Sequence, residues 1–161
     1  MDQALLQRLA TLEGESAVRR LMARYMDLCD VPRAPVEVSE LAQLFTIDAV
    51  WEGVGSATAQ TFGQHRGRDA VAAFVGSYLP PSDHFTLNLH YLTSESIVID
   101  GSTAQGQWIM QQISTYADGR NELFGTRLNI DFRCVDGVWL IAHFRTQRLF
   151  NTGLSITEAG A

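Results

Sequence analysis

Apolar residues recur along this chain at two different periods, and the change near Phe85 divides it into a helical part and a strand part. In the first part Val18, Leu21, Met22, Tyr25 and Cys29 follow one another at three- and four-residue steps. That spacing places them on one stripe of an amphipathic helix, VRRLMARYMDLCD, which ends on Asp30. A weaker pattern over 4–12 predicts a short helix ahead of it. Glu13-Gly14-Glu15-Ser16 is expected to break the two apart, with Ser16 as the N-cap. Val31-Pro32-Arg33-Ala34-Pro35 stops the second helix, because proline cannot continue the hydrogen-bond ladder. A third helix is expected over about 36–45, with Leu41, Leu44 and Phe45 inward, and a short strand over 48–52. Residues 53–63 read as a polar hairpin or mobile loop, and 67–79 as a fourth helix closed by Pro80-Pro81.

From Phe85 onward the segments are long and strand-like, with Asp-Gly pairs at Asp100-Gly101, Asp118-Gly119 and Asp136-Gly137. Asp-Gly tolerates positive φ and is a strong hairpin signal. The even spacing predicts an antiparallel meander of four long strands, over about 85–99, 104–116, 122–135 and 138–150. Helices first and a meander second is an α+β order. A long twisted sheet curls, and the N-terminal helices closing its concave side would leave a conical pocket.

Composition narrows the chemistry. At 161 residues the chain fits a single domain spanning 1–161 that buries roughly two-thirds of its unfolded surface, with a flexible tail expected over 153–161. No apolar run approaches a membrane span and the N-terminus lacks signal-peptide order, so a cytoplasmic protein without a membrane partner is expected. The net charge is −6, and all twelve basic residues are arginines, scattered along the chain, which argues against a nucleic-acid partner. The absence of lysine excludes Schiff-base chemistry and a Walker-type phosphate loop. Cys29 and Cys134 form no CxxC pattern and read as structural thiols. No His/Asp/Glu cluster has ligand spacing, so a reaction with no metal and no cofactor is favoured.

The candidate chemistry lies where the second helix ends and the first long strand begins. Asp30 and His84 are read as an acid-base pair, since a carboxylate on one imidazole nitrogen sets the tautomer and steadies the imidazolium. Tyr25 would supply a phenol to polarise a substrate oxygen. For each residue a plainer reading stands beside this one: Asp30 as a solvated helix-terminal carboxylate, His84 as a loop histidine, Tyr25 as a core tyrosine. Trp51, Phe74, Trp108, Met110, Phe124 and Leu128 read as core or pocket wall, and Asn88 and Thr126 join Trp51, Trp108, Met110 and Phe124 as candidate substrate-binding residues. His90 and His143 fall on strand patterns and read as structural, although His143 shares a face with Arg145 and could line the pocket. His65 is placed on the surface.

These parts, with LAQLFTIDAVWE, GRDAVAAF, HFTLN and the closing VDGVWLIAHFRTQRL, resemble the SnoaL-like branch of the nuclear-transport-factor-like α+β cone superfamily over about 15–150. Within it the pattern is similar to the group of scytalone dehydratase, bile-acid 7α-dehydratase and hexachlorocyclohexane dehydrochlorinase. The resemblance implies catalytic roles for Asp30, His84 and Tyr25, and a pocket arginine at Arg148, with Arg145 as the competing match. Alternation puts those two on opposite faces unless a bulge intervenes. The chain departs from that group in having no histidine over 105–116, where it offers Trp108, Met110 and Gln112, and a glycine at Gly53 where relatives carry tyrosine. The resemblance also implies a homo-oligomer, trimer or dimer.

Three functions follow as expectations. The first is a cofactor-independent lyase that expels water from a small, hydrophobic, cyclic substrate such as a polyketide, steroid or terpenoid. The second is an isomerase or cyclase working by enolisation in the same pocket. The third is a non-catalytic small subunit of a ring-hydroxylating dioxygenase, which would have a plugged pocket and an Asp30 and His84 too far apart to bond.

Overall fold

A computed structural model describes residues 2–156. The helical part opens with one continuous helix, α1, Gln3–Cys29, and not with two. Gly14 does not break it. The residue is buried, and a Cβ there would come within 3.3 Å of Ile99 Cδ1, so this glycine lets the helix lie close on a strand. That packing outweighs the roughly 1 kcal/mol helix-propensity cost of glycine. Asp2 caps the helix by accepting from the Ala4 N–H at 3.0 Å. The predicted stripe is buried: Val18, Leu21, Met22, Tyr25 and Cys29, joined by Met26 and Leu28.

The third helix is shorter than expected, α2 at Val38–Ala42, because Phe45 already belongs to β1, Phe45–Gly53. The expected loop over 53–63 holds a helix, α3, Ser56–Phe62, that packs on β1 through Gly53. A Cβ on Gly53 would fall 2.3 Å from the Thr58 carbonyl oxygen, so only glycine lets α3 come this close. Next come β2, Gln64–Arg66, and α4, Arg68–Gly76. His65 is half-buried, not a surface residue: its ring stacks on Phe74 with centroids 3.7 Å apart.

The four long strands are β3 Phe85–Asp100, β4 Thr103–Tyr116, β5 Asn121–Val135 and β6 Val138–Gly153. They form the expected meander, antiparallel throughout, in a six-stranded sheet of order β2-β1-β6-β5-β4-β3. The β1 strand adds to β6 in parallel, which makes the sheet mixed. Bulges in β3 and between β5 and β6 mark where the sheet bends. The core lies between α1 and the concave face, where Phe45, Leu128, Ile130, Phe132 and Ile141 are fully buried. The expected flexible tail begins inside β6, since Gly153 is a strand residue and the Leu154 N–H donates to Asn121. Residues 157–161 lie outside the described residues. Among the described residues no helix is long and apolar enough to cross a membrane.

Replacing Gly53 with alanine is expected to push α3 off β1 and lower stability by about 1–3 kcal/mol, as overpacking does. Urea denaturation of the two proteins measures it, with an unchanged midpoint as the contrary result.

Candidate active site

The site starts from a two-bond staple. Immediately after α1, the Val31 N–H donates to the Asn88 carbonyl at 2.8 Å, and the Asn88 N–H donates back to the Val31 carbonyl at 2.9 Å. This bridge ties the end of the first helix to β3 in one register. Alternation then puts His90, two residues past Asn88, on the same face and beside Asp30. Asp30 Oδ1 accepts the His90 backbone N–H at 3.0 Å and lies 2.8 Å from its Nδ1.

Asp30 is therefore paired with His90 and not with His84. The two histidines are six residues apart, roughly 20 Å along an extended strand, so one carboxylate cannot serve both. His84 is exposed and sits among the rings of Tyr78, Phe85 and Tyr116 at the solvent edge of the same cavity. His90, read from the sequence as structural, lines the cavity with its side chain 10% exposed. With Nδ1–H donated to Asp30, the Nε2 lone pair is left for a ligand.

The cavity has a volume of about 410 Å³ between α1, α3, α4 and the concave sheet face. Of the candidate residues, Tyr25, Trp51, Asn88, Met110, Phe124, Thr126 and Arg148 all line it. Trp51 stacks on Phe144 with centroids 5.5 Å apart and planes within 4°, and its Nε1–H donates to the Tyr25 hydroxyl at 3.1 Å. That bond fills an acceptor site on Tyr25 and leaves its own O–H to donate. Asn88 is held by Gln112 and Ser114, both at 2.8 Å from its Oδ1.

Three candidates do not line the cavity. Arg145 and Arg148 do fall on opposite faces, and Arg148 is the inward one. Arg145 donates to Asp131 at 2.8 Å and approaches His143 Nδ1 at 2.7 Å on the outer face. His143 shares that face, with Nε2 2.7 Å from Glu52, so neither can bind a ligand inside. Burial opposes ionisation of Glu52, but the bonds from His143 and Gln64 prevail and hold its carboxyl below the usual range. Trp108 is a core residue packed edge-on against Phe132, with its ring over Gly106. The Arg148 guanidinium lies 4.8 Å from the Phe124 ring centre and has no hydrogen-bond or ion-pair partner among the described residues.

Sequence reasoning missed a second polar group in the wall, Tyr116 and Glu122, whose side chains bond at 2.8 Å. Burial first, and then this bond, push the Tyr116 phenol up to about 12. Neither residue stands in a motif, and only the β4–β5 pairing brings them together. Burial also raises Tyr25 well above an ordinary phenol, and Cys29 beside it to about 12, so both are neutral at physiological pH. No group of three or more His, Cys, Asp or Glu among the described residues is arranged to hold a metal ion.

A helix-capped, curled sheet around a lined cavity defines the α+β cone class. The SnoaL-like domain family matches residues 10–145, and the chain belongs to that family. Among solved structures it is similar to the type 2 hexachlorocyclohexane dehydrochlorinase LinA, with 18% identity and a TM-score of 0.76 over 97% of this chain and 99% of that one. It is also similar to a scytalone dehydratase-like protein from Novosphingobium aromaticivorans, with 19% identity and a TM-score of 0.73 over 91% of each chain. A further likeness is to an NTF2-like protein with a cystatin-like fold from the same species, with 23% identity and a TM-score of 0.68 over 92% of this chain and 90% of that one. At these identities the likeness is one of fold. No curated protein matches the chain.

The two thiols are expected to react differently. At pH 8, iodoacetamide should modify Cys134 in the native protein and reach Cys29 only in denaturant, because Cys29 is buried and its thiol stays protonated. Peptide mass mapping reads the order. Stability should also fall as pH rises above about 9, since unfolding frees the Cys29 thiol and then the Tyr25 phenol to ionise while the folded state keeps both protonated. Melting temperature across pH 8 to 10.5 measures this, and Cys29→Ala with Tyr25→Phe should flatten the slope.

Proposed function

We propose that the chain is a cofactor-independent lyase that eliminates water from a cyclic, largely apolar hydroxy-carbonyl compound, with His90 as the base and acid in turn. The observation that carries this reading is the Asp30 carboxylate 2.8 Å from His90 Nδ1, at the wall of a 410 Å³ cavity. Nε2 takes a proton from the carbon next to the carbonyl. The electron pair of that C–H bond forms the double bond as the C–O bond one carbon further breaks, and the departing hydroxyl takes the proton back from the imidazolium to leave as water. Asp30 steadies the imidazolium between the two transfers. Tyr25 donates its O–H to the carbonyl oxygen as charge builds there, and Arg148 anchors an oxygen on the opposite wall. The names of the fold's relatives, a dehydrochlorinase and a dehydratase-like protein, agree with elimination chemistry. The non-catalytic expectation of an assembly subunit agrees with the lack of an Asp30–His84 bond, but its plugged pocket fits the open cavity less well.

The test is a panel of cyclic β-hydroxyketones in deuterium oxide, followed by enone absorbance and by deuterium uptake next to the carbonyl. His90→Ala and Asp30→Asn are each expected to cut turnover by about 10²- to 10⁴-fold, whereas His84→Ala changes it only a few-fold. Full turnover by His90→Ala would falsify the proposal, and deuterium uptake without water loss would move the reaction to isomerisation.

A further inference from the structure

The cavity has a second polar feature at its solvent edge, away from the Asp30–His90 pair. There the Tyr116 hydroxyl donates to Glu122 Oε2 at 2.8 Å, while Asn151 Nδ2 stands 3.5 Å from Oε1, the outer limit of a hydrogen bond. All three side chains line the cavity. Glu122 is half-buried, its neighbour Asn151 is exposed, and so is His84 beside Tyr116. One carboxylate oxygen is thus firmly held and the other lacks a well-formed donor. A partly desolvated carboxylate oxygen facing aromatic walls favours a ligand group that brings a hydrogen.

The register sets the span. Glu122 lies on β5 opposite Ser114, and His90 lies on β3 opposite Gln112. Two strand spacings and a two-residue offset separate them, on the order of 10 Å across a concave surface. Phe124 and Met110 supply the apolar floor between.

We propose that Glu122 determines specificity by accepting a hydrogen bond from a hydroxyl at the end of the substrate remote from the reacting carbon. Tyr116 is a positioning residue that fixes the other carboxylate oxygen. The ligand class is a rigid fused-ring alcohol or phenol, long enough to reach from His90 to the rim. This rests on the elimination reading only in taking the His90 end as the reacting end.

Isothermal titration calorimetry with estra-1,3,5(10)-trien-3-ol, which has a single hydroxyl at one end of a fused-ring skeleton, and with the parent hydrocarbon that lacks it tests the inference. The wild type is expected to bind the hydroxylated compound about tenfold or more tighter, as a hydrogen bond to a charged group does. Glu122→Ala should abolish that preference, Glu122→Gln should restore part of it because an acceptor returns, and His90→Ala should keep it. Equal affinities in the wild type, a preference that survives Glu122→Ala, or failure of both steroids to bind overturns the inference. None of these outcomes bears on elimination, which is judged by turnover in His90→Ala.

Discussion

The site depends on the staple between the end of α1 and β3. Two backbone bonds between Val31 and Asn88 fix how far β3 has advanced when it passes Asp30, and the carboxylate then accepts both the backbone and ring N–H groups of His90. A slip of one residue would turn every β3 side chain to the other face and leave Asp30 opposite a backbone with no imidazole. Asn88 is locked in turn by Gln112 and Ser114 from β4, so the register of the meander and the geometry of the dyad are one constraint. The histidine of the pair stands on a long strand and the carboxylate at a helix end, so both are placed by regular backbone.

The sheet separates two kinds of polarity. On its concave face polar groups alternate with aromatic rings, with His90 at one end and Glu122 at the other. On its outer face Glu52, His143, Arg145 and Asp131 form a continuous chain of contacts across β1, β6 and β5. Strand β6 carries both: Phe144, Thr146 and Arg148 point inward, while His143 and Arg145 point outward. Sequence spacing alone could say that Arg145 and Arg148 differ in face, but not which was inside. The bulge in the β5–β6 pairing, between Gly125 and Thr126, lies close to Arg148 and shows why counting along the strand is unsafe there.

Much of the fold was legible, because its signals are local. The three Asp-Gly pairs mark the hairpins to within a few residues, and Gly101, Gly119 and Gly137 all have the positive φ that the reading required. What was illegible depended on contacts between distant segments. Gly14 looks like a break until Ile99 is seen against it, and 53–63 looks like a loop until Gly53 admits Thr58. The same holds in the site. Tyr25, Trp51, Met110, Phe124 and Thr126 line the cavity where stripes and motif resemblance put them, Trp108, Arg145 and His143 do not, the choice between His84 and His90 rests on the Val31–Asn88 register, and Tyr116 with Glu122 on cross-strand pairing.

The helix α3 occupies a particular place in this design. It is a seven-residue segment between Gly55 and Gly63, and it forms one wall of the cavity through Thr58, Thr61 and Phe62. It supplies no hydrogen bond to the Asp30–His90 pair, whose bonds join the end of α1 to β3, with β4 locking Asn88 in place. The Thr58 hydroxyl of α3 accepts the Arg148 backbone N–H at 3.0 Å, so the segment that walls the cavity is tied to the strand that carries the inward arginine, and any change in the length of α3 would move wall and arginine together.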